Sequence, residues 1–369
     1  MTLTQRVQLS AGTCALLLLT GGSLPAAATR IAFLDAEATA RGNAFTATAD
    51  NPSAVFYNAA GLTQVVGTQI RTNAYIFSPE YRFSGPAGTA ETDDTYQPVP
   101  SFFMSHRMEE QPIAFGFGMY APFGLGMDWG STAPFAPVAY KADLAYIKYH
   151  AVVAWQVSET LSIGFGPSYD DGELELYSTG PLGSFEGDDQ TLGYSISVLY
   201  QASEQHSFGL NYQAATELSF DGRSTAFGSA KAKMKFPESI VFGYSWRPNE
   251  KWNIEFNLDW TNWDRVNNLS FRSGLANPDV PLNWESAFIW ELGATRYFEN
   301  GWQASAGYTF VENAVPDREF TPIVPDADRH YFQFGVGRQY EQFSWQFTYQ
   351  FTYAPDRSVR GNTGRHRHR

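Results

Sequence analysis

The residues of this chain that could do chemistry are scattered. His106, His150, His206 and His330 stand far apart, Cys14 is the sole cysteine, and no G-x-S-x-G, H-E-x-x-H or P-loop pattern occurs. A hydrolase would have to assemble Ser, His and a polar orienter from separate segments, and nothing in the spacing asks for that. The chain is read as a non-enzyme. Arg365–Arg369 interleaves two histidines with three arginines. Those cations repel a metal ion, so the run reads as a solvated tail, and neither a metal nor any other cofactor is expected. Carboxylates gather at Asp170, Asp171, Glu173 and Glu175, and again at Glu186, Asp188 and Asp189. Oxygen-rich loops can hold Ca²⁺ or bridge to lipopolysaccharide, but such runs are more often a solvated face.

The elements available to position a site are strands. In Lys251–Thr261, Trp252, Ile254, Phe256, Leu258 and Trp260 alternate with Asn253, Glu255, Asn257 and Asp259. From Phe343 to Tyr353 every odd position is aromatic and every even one polar. Such runs are about 10 residues long, enough for a tilted strand to cross a bilayer, and their terminal Trp and Tyr read as interfacial girdles. Short turns at 109–111, 158–159, 203–205, 248–250, 299–301 and around Glu341 alternate with long connections at 84–99, 123–141, 171–190, 221–234, 264–283 and 312–328. That parity is the asymmetry of an outer-membrane barrel, with short periplasmic turns and longer outer loops. The expected fold is all-β, a transmembrane antiparallel β-barrel over 67–354.

The start of the chain fits export. Arg6, the apolar run around Cys14–Leu19 and the small residues Pro25–Ala28 read as a signal peptide over 1–28, cleaved to release an outer-membrane protein. The formal charge of −13 becomes −14 without Arg6, which argues against nucleic acid as a partner. Thirteen strands can be counted, and an odd count leaves the last strand ending outside the cell. The segment 355–369 has one apolar side chain beyond its proline context, Val359, and reads as a polar tail, so a closing strand is apparently missing. Before the first strand, 29–66 has a different character, and 42–62 within it is small, polar and rich in Asn and Ala. It reads as a plug, or hatch, folded inside the lumen.

Ala47–Leu62 (ATADNPSAVFYNAAGL) resembles the hatch signature of the FadL/TodX family of outer-membrane long-chain fatty acid and aromatic hydrocarbon transporters. Phe115–Trp129 (FGFGMYAPFGLGMDW) is similar to that family's third-strand segment, and Asp328-Arg329-His330 to a late one. Where the family has Asn-Pro-Ala, this chain has Asn58-Ala59-Ala60 and loses the proline's fixed φ. The resemblance implies a 14-stranded barrel blocked by its hatch, capture of ligand by outer loops, and sideways release through a kink in strand 3.

Three residue groups follow as candidates. Asn51, Pro52, Phe56, Tyr57 and Asn58 would gate the lumen, against the plainer role of filling it. Gly118, Tyr120, Pro122 and Phe123 would form the kink and lateral exit, against a simple strand-end bulge. Met127, Trp129, Phe135 and Tyr140 would capture ligand as rings exposed in a water-facing loop, against packing among the loops. The expected function is passive, ligand-gated uptake of hydrophobic small molecules by a monomer in contact with outer-membrane lipid and lipopolysaccharide. A general porin or structural barrel is the first alternative, and an outer-membrane lipase the second.

Overall fold

The computed structural model describes residues 7–9 and 28–359, apart from 79, 93–95, 182 and 275–276. Most of the expected leader, and the RHRHR run of the tail, lie outside the described residues. Among those described, thirteen strands follow one another. They are β1 (Thr68–Phe77), β2 (Gln97–Arg107), β3 (Ile113–Asp128), β4 (Lys141–Gln156), β5 (Leu161–Tyr177) and β6 (Phe185–Gln201). β7 (His206–Gln213) resumes at Thr216–Ser224, and β8 (Gly228–Phe236) resumes at Ser239–Asn249. β9 (Trp252–Thr261) is extended by Asn268–Ser273, and Asp279–Pro281 precedes β10 (Ala287–Tyr297). β11 (Trp302–Val311), β12 (Arg329–Gln339) and β13 (Ser344–Tyr353) complete the set. Each strand pairs antiparallel with the next.

The two faces of this sheet invert the pattern of a water-soluble protein. On β9 the inward residues Asn253, Glu255, Asn257, Asp259 and Thr261 are at most 2% exposed. Phe332 and Phe334 on β12, and Tyr349 and Phe351 on β13, face out and are exposed. An apolar outer belt around a polar interior is stable only with lipid outside. At the ends of β10 and β12, Arg296 lies over Trp252 and Phe298, and Arg338 over Trp302 and Tyr340. These cation–ring pairs suit the membrane–water interface.

The long connections are more ordered than their polarity implies. β5 and β6 extend to Tyr177 and from Phe185, so the expected loop 171–190 is mostly strand. The expected loop 221–234 is a hairpin, with Asp221 opposite Lys231 and Glu217 opposite Lys235. Within 84–99, Arg82–Gly85 pairs with Gly88–Glu91. Charge alone suggests loop, whereas the cross-strand ion pairs Asp221–Lys231 and Glu217–Lys233 let these residues continue the ladder beyond the bilayer. Asp170 corrects the acidic-loop reading outright. It sits on the inner face of β5, fully buried, where Tyr146 donates to it at 2.6 Å and Lys148 Nζ lies 3.4 Å away.

Candidate functional site

Residues 28–66 enter the curved sheet and are almost wholly buried there. Asp35 caps α1 (Ala36–Ala40), accepting from the Glu37 and Ala38 amides. Asn51 accepts from the Ser53 amide and hydroxyl and donates to Glu37, which sets the turn through Pro52 into α2 (Ala54–Tyr57). Asn58 then adopts an extended backbone and caps a 3₁₀ turn (Ala59–Gln64) through Ala60 N–H. Its amide also donates to Thr46 O at 2.8 Å and to Val198 O on β6 at 3.0 Å. Asn58 therefore fixes by hydrogen bonds a bend that a following proline would fix by ring geometry.

The segment is held by polar side chains of the wall. Arg30 pairs with Asp259 at 2.7 Å, Asn43 donates to Glu291 at 2.7 Å, and Glu255 accepts from Ala47 N–H at 2.8 Å and from Thr48. The buried Arg41 lies 3.6 Å from Glu255. Tyr57 accepts from Leu34 N–H and donates to Asn43, tying the two arms of the segment together. Burial pushes the Glu37 carboxyl above its usual range, Arg71 opposing and Asp50 and Asp35 reinforcing the effect.

Glycines of the wall let this backbone come close. Gly293 on β10 and Gly307 on β11 are register partners, and a Cβ on them would lie 1.8 Å from Arg41 O and 1.9 Å from Gly42 N. Gly209 and Gly243, partners on β7 and β8, seat Thr46 and Ala47 in the same way. None of these was singled out in the sequence. The signal was there, as glycine recurring at inward positions of otherwise regular strands.

The wall is interrupted at β3. The β2–β3 ladder stops at the Phe102–Met119 pair although both strands continue. On the other edge, the β3–β4 register shifts between Tyr120 and Phe123, so Ala121 and Pro122 oppose Ile147 alone. The N-terminal segment fills this break from inside. Ile31 N–H donates to Pro122 O and Gly124 N–H to Thr29 O, each at 2.8 Å, around an Arg30–Phe123 bridge. Gly118 abuts Val55 of the N-terminal segment. Tyr120 meets Phe56 with ring centroids 5.2 Å apart. Phe123 looks into an aromatic chamber with Tyr146, Phe236 and Trp263 at 5.4, 5.2 and 6.1 Å. The structure thus brings Phe56 of the gating group into contact with Tyr120 of the kink group, while Pro122 and Phe123 are met by Thr29–Ile31 instead.

Of the loop candidates, Met127 and Trp129 are away from the surface, and Phe135 and Tyr140 are half-buried. Met127 and Trp129 are buried, because Tyr81, Phe83 and the 312–328 connection cover them. Trp129 donates to Pro322 O at 2.9 Å and packs on Phe135 at 5.4 Å, while Tyr140 rests near Tyr177 at 6.3 Å. The expectation of exposed rings is corrected: an apolar loop reduces its own contact with water by folding under its neighbours. Behind the break, Tyr120 OH lies 2.8 Å from His150 Nδ1, and His150 Nε2 lies 3.0 Å from Ser195 Oγ. Ser and His from separate strands therefore do meet.

A rolled antiparallel sheet with an apolar outer belt and a filled polar interior defines a transport-type barrel of the bacterial outer membrane. The chain belongs to the outer membrane protein transport protein family (OMPP1/FadL/TodX), whose pattern matches residues 17–363. It is 22% identical over 343 residues to a long-chain fatty acid transport protein of Salmonella typhi, covering 79% of this chain and 78% of that one. Its fold is similar to that of a Pseudomonas aeruginosa FadL homologue, with TM-score 0.75 at 14% identity over 89% and 92% of the two chains. It also resembles the Pseudomonas putida toluene transporter TodX, with TM-score 0.64 at 15% identity over 86% and 91%.

Proposed function

We propose that the chain carries hydrophobic small molecules, fatty acids or aromatic hydrocarbons, passively across the outer membrane. Residues 29–66 act as a ligand-gated hatch, and the ligand leaves sideways between β2 and β3. One observation carries the reading: the β2–β3 ladder ends early, and the gap it leaves is stopped by Thr29–Ile31 and backed by the aromatic chamber at Phe123. A ladder sealed along its whole length would force strand separation, whereas here two backbone hydrogen bonds to the plug close the way. Lateral exit also keeps an apolar ligand out of periplasmic water, which saves about 0.8 kcal/mol per CH₂. Asn51, Pro52 and Asn58 shape the hatch, and Phe56 and Tyr57 couple it to Tyr120. The loop residues Met127, Trp129, Phe135 and Tyr140 serve as an apolar route inward, opened when the loops part. The proposal needs no cofactor and no energy coupling. Its test is the deletion of Ala121, which restores one-to-one pairing of β3 with β4. Uptake of labelled ligand should fall while the barrel remains folded, and unchanged uptake would count against the exit.

The Ser195–His150 contact favours a second reading as a lipase. It lacks a carboxylate orienter, since Tyr120 takes that place, and a phenol does not stabilise an imidazolium as a carboxylate does. A lipid hydrolysis assay on the Ser195→Ala pair decides it, and serine-dependent turnover is the outcome that would revive it.

A further inference from the structure

Behind the break in β3, the inner wall of β4, β5 and β6 carries a second group of polar side chains beside the His150–Ser195 contact. One inward row of the ladder runs Tyr120–Lys148–Asp170–Thr191, and the neighbouring row runs His150–Ser168–Gly193. Asp170 Oδ2 is engaged: Tyr146 donates to it at 2.6 Å, and Lys148 Nζ stands 3.4 Å away. Asp170 Oδ1 and the Ser168 hydroxyl are buried, and neither has a hydrogen-bond partner among the described residues. Both side chains lie over the bare backbone of Gly193, where a Cβ would stand 2.8 Å from Ser168 Oγ and 3.1 Å from Asp170 Oδ2. A buried carboxylate oxygen left unsatisfied is costly, and the cost is recovered when a donor reaches it. These groups also form the floor of the aromatic chamber. The ring of Tyr146 packs on Phe123 at 5.4 Å and on Phe236 at 4.7 Å, while its hydroxyl holds Asp170.

We propose, on the strength of the uptake reading above, that this floor is a head-group subsite and that its cargo is an uncharged aromatic bearing a hydroxyl, the alkylphenol class. A phenol O–H donates to Asp170 Oδ1, and such a bond to a charged acceptor is among the stronger ones. The phenol oxygen accepts from the Ser168 hydroxyl, and the ring meets Phe123, Tyr146 and Phe236. A carboxylate head does not fit this floor. It would stand beside Asp170, and the positive charge of Lys148 is already matched by that residue. Two further buried cations are matched likewise, Arg30 by Asp259 at 2.7 Å and Arg329 by Asp326 at 3.2 Å. A second carboxylate in so dry a place meets net repulsion. A plain hydrocarbon is not repelled, but it leaves Asp170 Oδ1 unmet. A site with a buried polar group to satisfy discriminates strongly against the analogue that lacks the matching one.

The test compares p-cresol, toluene and p-toluate, which share a body and differ in the head. Binding of each labelled molecule to the purified full chain in detergent is measured by equilibrium dialysis. p-Cresol should bind about tenfold more tightly than either of the others, or better. Ser168→Ala and Gly193→Ala should each bring the ratio of p-cresol to toluene affinity down towards one, the second because its methyl displaces the Ser168 and Asp170 side chains. Asp170→Asn should raise p-toluate relative to toluene, since the repelling charge is gone. Where that variant does not fold because Lys148 is left unpaired, Asp170→Asn with Lys148→Met is read in its place. p-Cresol bound no more tightly than toluene, or a preference that survives both Ser168→Ala and Gly193→Ala, overturns the proposal. Chain-dependent entry of toluene into cells with no preference for p-cresol overturns the subsite and leaves the uptake reading standing. A p-cresol preference in the purified chain, with no chain-dependent entry of any of the three, does the reverse.

Discussion

Gly293 and Gly307 show how much of the site rests on the absence of side chains. With Arg41 O 1.8 Å from where a Cβ would stand, Gly293→Ala must push the N-terminal segment off β10. In planar bilayers that variant should show a larger steady conductance than the parent, whereas Gly274→Ala, with nothing nearby, should not. Equal conductance in the two would show that the plug does not depend on this seat. The Arg30–Asp259 pair makes the opposite kind of demand. Arg30→Met leaves the Asp259 charge buried and uncompensated, a cost of about 3–5 kcal/mol. The folded band in unheated gels should be lost at a lower temperature, and adding Asp259→Leu should recover most of the loss. At this scale the sequence was partly legible. Asn51, Tyr57 and Asn58 were readable because amides and a phenol in a small-residue segment seek buried partners. The wall glycines were not, because a glycine's role depends on what approaches it from 160 to 270 residues away.

β3 is the element at which the wall's pairing is interrupted. Its glycines and Pro122 were legible as poor ladder formers, and the register shift falls at Ala121–Pro122. What the sequence could not show is that the β2–β3 ladder ends at Met119 and that Thr29–Ile31 takes its place, since both depend on pairing between distant segments. Ile31→Pro removes the N–H that bonds Pro122 O, a loss of about 0.5–1.5 kcal/mol from the closed state. Hydrogen exchange should then rise at Gly124 and leave β9 unchanged, and equal protection at Gly124 in parent and variant would remove the plug from the closure of β3. The outer halves of β5 to β8 were hidden for another reason. Their charges resemble those of a loop until Asp221 is seen opposite Lys231.

For the whole molecule, period-2 alternation and turn parity gave a barrel of thirteen strands, and among the described residues the successive strands of the wall number the same, some of them in two segments. These features were legible because lipid outside and a polar interior impose opposite demands on successive residues. The contacts between the N-terminal segment and the wall were not, because Asp35 and Ala36 meet Arg71, Asn73 and Thr348 through bonds that leave no periodic trace. The central claim is uptake of hydrophobic molecules, and the most direct measurement is entry of labelled oleate and labelled toluene into cells that lack their own transporter, with and without this chain. Saturable, chain-dependent uptake of at least one of the two is expected, lost on deletion of Ala121. Uptake of both labels at the same rate with and without the chain would contradict it.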